Sequence, residues 1–471
     1  PFVKVGGLGD VAGALPIALR NLSENGTTLD VRLAIPLHSV VRTHADTLRP
    51  VAAFSLPHSG KEIPAQIFET RLQKMPVYFI SGAPISAGGS VYSSNENIDS
   101  EKYTFFSLAA LEMIRQLDWK PDILHANDWH TALAVYALLL RRWEDSEKST
   151  RTVLTIHNLP FLGPDILGRM DAYGLPRAQT DLPPWAQTRP LPLGLWSADA
   201  LTTVSPSYAE AIQSDGDESA GLGEFLRQRR EDLHGILNGI DVDSYNPATD
   251  SALAAPFGAE TLYRRLENKR ALQNEMGLPN SDAPLFGIVS RMDSQKGIDV
   301  AFSALRRLKG SDWQAVILGT GDRALESAAR RLHTRFPKRV GLALRYDSAL
   351  ARRIYGGADF FLMPSRYEPC GLAQMIAMRY GCLPIARETG GLKDTIRESE
   401  TGFLFPAATT ASLLKAMRRA MAAYSDPETI ETMQRAAMAQ DFSWGRAAKE
   451  YLALYRSLLD TPMSSSRMPL L

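Results

Sequence analysis

The sequence predicts an α/β fold made of two parallel sheets, each covered on both faces by helices. Three observations carry this. Short apolar runs alternate with helical stretches along most of the chain. Loops rich in Gly, Ser, Pro and charge follow those runs. Two nearly identical turns stand far apart, Lys4-Val5-Gly6-Gly7-Leu8-Gly9-Asp10 and Glu388-Thr389-Gly390-Gly391-Leu392-Lys393-Asp394. Strands alternating with helices build parallel sheets. Ligands of such sheets sit beyond the carboxyl ends of the strands.

In the first half, Asp122–His125 reads as a buried strand, with a loop at Asn127-Asp128 and a helix over Ala132–Leu140. Thr152–Ile156 is a second strand, ending at His157-Asn158, and Leu201–Val204 is a third. Ser205-Pro206 after it reads as an N-cap with proline at the first helical position. In the second half, Leu285–Val289, Ala315–Leu318 and Phe360–Met363 repeat the pattern. The aperiodic stretch Asn238–Pro256 reads as the interdomain linker. The helix over about Trp444–Leu459 follows the second sheet and is expected to cross back to the first domain. The tail from Thr461, rich in serine, is expected to be disordered. The domains are therefore drawn at 1–240 and 241–443, with the helix at 444–460 and the tail at 461–471.

The 471 residues suffice for two or three large cores, and 45% apolar with 22% charged residues is an ordinary globular composition. Lys+Arg and Asp+Glu are both 52, so the formal net charge is zero. That argues against a nucleic-acid partner and fits a neutral polymer or a small molecule. Only Cys370 and Cys382 are present, which excludes a disulfide framework and fits a reducing compartment. No apolar run approaches the roughly 20 residues of a membrane span. The first turn begins at Lys4, where a phosphate-binding turn normally follows a strand. The sequence reading therefore expects the true N-terminus, with any targeting signal, to lie outside this chain.

Paired glycines bring bare backbone amides close to a ligand, and a helix starting after them adds a positive dipole end. One such turn in each half predicts a grip on a phosphate-bearing substrate from both sides. Ser290-Arg291-Met292-Asp293-Ser294-Gln295-Lys296-Gly297 follows a strand and places two cations five residues apart. Such a pair neutralises a diphosphate leaving group, or else it is a solvated loop. Ser365-Arg366-Tyr367-Glu368-Pro369-Cys370-Gly371-Leu372 follows another strand. With Pro369 near a helix start, the amides of Cys370, Gly371 and Leu372 would face a ligand, and Glu368 would accept hydrogen bonds from a sugar. The alternative is a plain capped helix with a surface carboxylate. His125 and His130 are five apart across a loop, a weak metal pattern. No GxSxG elbow and no Walker loop is present.

Together these motifs resemble the bacterial glycogen synthases and plant starch synthases. The matching stretches are KVGGLGDVAGALP, HANDWHTAL, TIHNL, TTVSPSYA, ILNGID, ENKRALQNEMGL, VSRMDSQKGID, PSRYEPCGLAQ, RETGGLKDTI and DFSW, in the family's order over nearly the whole chain. The resemblance implies the GT-B arrangement, two Rossmann-like doubly wound domains facing a central cleft. It implies transfer of glucose from ADP-glucose to the non-reducing end of an α-1,4-glucan, with retention of configuration. It implies no metal and no cofactor, no membrane, and a bacterial cytoplasmic or plastid location.

By the same resemblance, His157, Glu368, Arg291, Lys296 and Asp128 are the catalytic set. Lys4, Gly6 and Gly7 contact the sugar nucleotide from the first domain. Asn158 and Asn238 are sugar contacts, and Tyr346 lies against adenine. Cys370, Gly371 and Leu372 supply amides, and Thr389, Gly390 and Gly391 form the second phosphate-side turn. The chain departs from the family pattern at Val5, at Ala373 and most in 161–196 and 214–223, where acceptor contacts are expected. Two other readings share the motifs: a GT-B transferase using UDP-glucose or another acceptor, and a non-catalytic glucan-binding paralogue.

Overall fold

The computed structural model describes Phe2 and residues 6–24, 27–41, 47–87, 89–144, 150–308 and 311–461. The chain divides into two units. The first comprises Pro1–Val204, Ala209–Leu237 and Trp444–Leu471, the second Ser205–Tyr208 and Asn238–Ser443.

The first unit opens with helix α1 (Gly7–Asn21) and a small antiparallel ribbon, β1 (Ser23–Glu24) with β2 (Thr27–Thr28). Two four-stranded sheets follow. One contains β3 (Leu33–Pro36), β4 (Arg49–His58), β5 (Lys61–Leu72) and β6 (Met75–Gly82), in the order β3-β6-β5-β4. Here β3 and β6 are parallel, while β4, β5 and β6 form an antiparallel meander that the strand–helix pattern did not predict. The other contains β7 (Ile123–Asn127), β8 (Arg151–Ile156), β9 (Ala200–Thr203) and β10 (Leu233–Gly235), in the parallel order β10-β9-β8-β7. All residues of β8 and β9 are buried, as expected of a sheet covered on both faces.

Helices Glu96–Gln116 and Trp129–Glu144 cover one side, around a core that includes Phe105, Phe106, Ala109 and Ala134. The C-terminal helix Trp444–Asp460 belongs to this unit. Its Trp444, Ala448 and Tyr451 share a core with Val11, Leu15 and Leu19 of α1. Apolar residues spaced three and four apart on both helices make that face. Residues 462–471, expected as a disordered tail, lie outside the described residues.

The second unit holds one six-stranded, all-parallel sheet: β11 (Leu285–Val289), β12 (Gln314–Leu318), β13 (Val340–Ala343), β14 (Phe360–Met363), β15 (Leu383–Arg387) and β16 (Phe403–Phe405). The order β13-β12-β11-β14-β15-β16 is the doubly wound order of dinucleotide-binding folds. It reverses between β11 and β14, which pair directly. The helix starts are capped by side chains the sequence supplies: Asp322, Asp347, Thr409 and Asp426 each accept a backbone N–H of the following turn.

The stretch read as a linker, Asn238–Pro256, is irregular but packed within the second unit. Asp250 accepts from Arg352 at 3.0 Å and from the Tyr380 hydroxyl, and Asn268 bonds both backbone polar groups of Ala255. Its turn residues signal loop, not mobility. Buried partners hold it.

Candidate active site

The second unit's site lies at the carboxyl ends of β11 and β14, the point where the strand order reverses. The loop after β11 carries Arg291, Asp293 and Lys296. Asp293 accepts the Lys296 amide at 3.1 Å and so caps a single 3₁₀ turn, Ser294–Lys296. Gly297 then takes φ +61°, and a Cβ there would stand 2.0 Å from the Pro364 carbonyl oxygen. Only glycine lets this loop lie against the loop after β14. Arg366 fastens the two loops. Its amide donates to the Gln295 carbonyl at 2.7 Å, and its guanidinium reaches the Ser294 carbonyl and the Asp299 carboxylate.

That contact sets Lys296 on Glu368. The ammonium donates to both carboxylate oxygens, at 2.8 and 2.7 Å, and Ser365 Oγ donates to Oε2 at 3.0 Å. The Glu368 side chain is only 6% exposed and that of Lys296 21%. Glu368 is therefore not the surface carboxylate of the alternative reading. Arg291 behaves differently: it is 68% exposed and 3.4 Å from Asp293.

Past Glu368 the structure corrects an expectation. The helix begins at Ala373, so Pro369 stands four residues ahead of it and the Cys370–Leu372 amides belong to an irregular turn. Gly371 takes φ +73°. The Pro369 carbonyl accepts the Ser205 hydroxyl at 2.5 Å. Ser205 Oγ also accepts the Tyr208 amide at 3.3 Å, the N-cap read from the sequence. The Cys370 thiol is buried, meets the backbone N–H of Asn238, and is pushed up to about 12 by burial. The Asn238 side-chain oxygen is buried with no hydrogen-bond partner.

The second glycine turn packs onto the same segment. Gly390 takes φ +44°, and a Cβ there would meet the Glu368 carbonyl oxygen at 2.0 Å. One on Gly391 would meet the Cys370 carbonyl oxygen at 2.2 Å. The Gly391 amide donates to the Glu368 carbonyl at 3.1 Å. Thr389 precedes the helix Gly390–Thr395 without a side-chain cap bond. These glycines thus have a packing reason, independent of any ligand. The first turn differs. Gly6 and Gly7 are exposed, and an added Cβ at either would meet nothing within 4 Å. Lys4 lies outside the described residues. Tyr346, in the loop after β13, is 82% exposed.

The first unit gathers His157, Asn158 and Asp128 with Asn127, whose role no local pattern marks. β7 runs to Asn127 and the next helix starts at Trp129, so the expected loop is Asp128 alone, in the left-handed region at φ +54°. Its carboxylate accepts the His157 amide at 2.7 Å and also meets the Asn158 amide. Burial raises Asp128 to about 7, against the opposing pull of those two amides. Asn127 Oδ1 lies 2.9 Å from His157 Nε2 and so takes a proton from that nitrogen. Burial, then the nearby His125, lowers His157 to about 3, so at neutral pH the ring is an uncharged hydrogen-bonding group.

Two histidines of the HANDWH stretch are structural. His125 bridges Tyr455 of the C-terminal helix at 2.7 Å and Thr155 of β8 at 2.6 Å. His130 stacks on Trp129 with ring centroids 4.1 Å apart. Among the described residues, no three His, Cys, Asp or Glu side chains come together as a metal site, and no helix is long and apolar enough to cross a membrane. Asn127, Ser365 and Arg366 were missed as site residues. All three sit inside quoted motifs, but their partners are distant in sequence.

Comparison with known proteins decides the family. The model of the starch synthase catalytic domain matches residues 1–228, and that of glycosyl transferases group 1 matches residues 270–438. A glycogen synthase from Thermotoga maritima is 40% identical over 478 residues, covering 98% of this chain and 97% of that one. The chain belongs to the glycogen synthase and starch synthase family of glycosyltransferases. Another glycogen synthase of the family, from an Anaeromyxobacter species, is 41% identical over 474 residues, with 97% of each chain covered. The solved catalytic domain of starch synthase IV from Arabidopsis thaliana, bound to ADP and acarbose, superposes with a TM-score of 0.86 at 33% identity, over 98% of this chain and 97% of that one. A sucrose-phosphate synthase from Thermosynechococcus elongatus shares the fold at 21% identity and TM-score 0.55. The family's fold is GT-B, and the parallel sheets of the two units fit it.

Proposed function

We propose that this glycogen synthase family member transfers glucose from ADP-glucose to the non-reducing end of an α-1,4-glucan, with retention of configuration. The observation that carries this is the Lys296–Glu368 pair at the switch point of the second unit's sheet, where doubly wound folds bind nucleotides. The ADP in the related starch synthase supports the choice of donor, and its acarbose supports a glucan acceptor.

Each group has a role its chemistry suits. Lys296 has three N–H donors and spends two on Glu368, which leaves one for a donor phosphate oxygen. Arg291, exposed and only loosely paired, is free to swing onto the diphosphate. Glu368 accepts from hydroxyls of the donor glucose, and the turn amides at Cys370–Leu372 and at Gly390 contribute further donors, while the Thr389 and Gly391 amides are held by the Arg387 and Glu368 carbonyls. Tyr346 offers an exposed ring to adenine. Asn238, with its unpartnered oxygen, accepts from a sugar hydroxyl. In the first unit, neutral His157, held by Asp128 and Asn127, bonds the transferred glucosyl group, with Asn158 beside it. Lys4, Gly6 and Gly7 add contacts to the sugar nucleotide.

In the step itself, the bond from the glucose anomeric carbon to the ADP oxygen breaks. The bond to the acceptor 4-hydroxyl oxygen forms on the same face, and the hydroxyl proton passes to the departing phosphate. Preorganised cations stabilise the charge that develops there, so the chain's own side chains take the part a metal would otherwise play. Two buried thiols support a reducing compartment such as a bacterial cytoplasm.

The test is ADP release and chain extension with maltooligosaccharide acceptors, run with ADP-glucose and UDP-glucose in parallel. Faster extension with UDP-glucose overturns the donor assignment. Glucan binding without nucleotide release makes the protein a binding paralogue. Trapping a glucosyl ester on any carboxylate sinks the same-face step.

A further inference from the structure

Gln374 is fully buried at the start of the helix Ala373–Arg379, against the turn that carries Cys370, Gly371 and Leu372. Its Nε2 donates to the Cys370 carbonyl at 3.0 Å and to the Gly371 carbonyl at 2.8 Å, and lies 3.2 Å from Thr395 Oγ1. Thr395 donates its own proton to the Gly391 carbonyl at 2.6 Å, so toward Gln374 it is an acceptor. Three acceptors thus surround one NH2 group. Turned over, the carboxamide would set its oxygen against two carbonyl oxygens, so the acceptors fix which end faces the turn. The other end is left unsatisfied. Gln374 Oε1 is buried without a hydrogen-bond partner, and a Cβ on Gly371 would stand 2.4 Å from it. Burying an unpaired oxygen is unfavourable. The side chain sits where its NH2 group is used, not where its oxygen is satisfied.

That placement orients the turn. A trans peptide unit points its C=O and the following N–H in opposite directions. The Cys370 and Gly371 carbonyls are drawn inward to Gln374, so the N–H groups of Gly371 and Leu372 face the other way, where both residues are only half-buried. Among the described residues, neither N–H has an acceptor. Gly371 is left-handed at φ +73°, and Leu372 after it is right-handed at φ −103°, ψ −28°. This alternation turns successive N–H groups to one side as an anion-binding nest. The inward Cys370 carbonyl is also the atom on which the second glycine turn packs, 2.2 Å from a Cβ built on Gly391. One carboxamide therefore braces both turns.

We propose that Gln374 is a positioning residue for glucosyl transfer. It does not touch the sugar nucleotide. It holds two peptide units with their carbonyls inward, so that the N–H groups of Gly371 and Leu372 are aimed at the donor's oxygens before the ligand arrives. Through Thr395 it ties that aim to the second glycine turn. Without its two N–H donors, the peptide units between Cys370 and Leu372 are free to rotate and present carbonyl oxygen to an anion. The inference rests on the reading, proposed above, of these amides as donors to ADP-glucose.

The test uses two variants of the full chain. Gln374→Met keeps the length of the side chain and removes both donors. Thr395→Val keeps the shape and removes the link to the second turn. Initial rates are measured with ADP-glucose and a maltooligosaccharide, and hydrogen exchange is read over residues 370–375 with and without ADP. In the parent, ADP should slow exchange there. Gln374→Met should lower kcat/KM for ADP-glucose about thirtyfold and leave the acceptor KM within about twofold. It should also abolish the slowing over 370–375 while ADP still slows exchange over 291–297. Thr395→Val should lower the same kcat/KM about threefold, and it carries the test alone if Gln374→Met does not fold. A merely structural brace would lower the melting temperature and leave kcat/KM of the folded protein unchanged. That result, with the ADP effect over 370–375 intact in the variants, overturns the proposal alone. A parent that turns over ADP-glucose but shows no ADP effect over 370–375 overturns the reading of the amides as donors, and this proposal with it.

Discussion

Lys296 grips Glu368 through both carboxylate oxygens, at 2.8 and 2.7 Å, across a separation of 72 residues in the chain. Removing either partner leaves the other short of its counter-charge beside a buried loop contact. We expect Lys296→Ala to lower turnover about a hundredfold or more. It should also cost about 2 kcal/mol of stability, less than a fully buried pair because Lys296 is 21% exposed. The double variant Lys296→Ala, Glu368→Ala should recover much of the stability and none of the turnover. Denaturant unfolding beside ADP release reads both, and strictly additive stability losses would count against the coupling.

Asn127 is expected to matter through His157. Its side-chain oxygen takes the Nε2 proton and leaves Nδ1 as the acceptor. Asn127→Ala should lower kcat roughly tenfold with little change in the donor KM, by freeing the ring to rotate and change tautomer. Steady-state kinetics with varied ADP-glucose measure this. A large rise in KM with kcat intact would place Asn127 on the donor instead.

The two glycine turns should respond differently to one methyl group. Gly391→Ala drives a Cβ against the Cys370 carbonyl and should cost about 2 kcal/mol or more, with activity falling alongside. Gly7→Ala meets open space, so its melting temperature should stay within about 2 °C of the parent. Any loss of turnover in Gly7→Ala then reports on the ligand alone. Thermal scans of both variants, read with initial rates, separate the two cases.

Acid should destabilise the first unit through its buried histidines. Burial holds His130 at about 3, with His157, Lys102 and His38 adding to the effect. Its folded value lies below the unfolded 6.5, so its contribution is present above about pH 6.5 and is lost as pH falls toward 3. Asp128 works the other way. Raised to about 7, it favours the fold below about pH 4 and loses that contribution as pH rises through 7. We expect His130→Phe to flatten the fall in melting temperature between pH 6.5 and 4.5, and Asp128→Asn to steepen it. Melting curves across that range check both slopes.

The cysteines should resist thiol reagents in the folded protein. Cys370 and Cys382 are buried, and burial pushes both thiols up to about 12. An aromatic disulfide reagent at pH 8 should label the native chain far more slowly than the unfolded one. Cys370→Ser should keep most of the activity, because the proposed contribution there is a backbone amide. Rapid native labelling with parallel loss of turnover would contradict the burial.

Much of the second unit was legible in the sequence. β11 and β14 fall on the runs Leu285–Val289 and Phe360–Met363, because buried parallel strands must be short, apolar and followed by polar loops. The first unit was less legible. In the meander β4–β6, β4 and β5 are mostly exposed or half-buried while β6 is largely buried, and no helix lies between the strands, so a strand–helix pattern passes over it.

The sequence by itself determined the parallel α/β architecture, the family motifs and the residue types of the candidate site. These depend on local periodicity and on glycine, proline and capping residues at fixed spacing. Only the tertiary structure decided which of them touch. It joined Lys296 to Glu368 through Ser365 and the Arg366 clamp, and set His157 between Asp128 and Asn127. It also gave the twin glycine turns opposite reasons for being glycine: one is packed against the Glu368–Cys370 backbone, the other open to solvent. Such contacts join segments far apart in the chain, and no local pattern encodes a distance that only the packed strands and loops define.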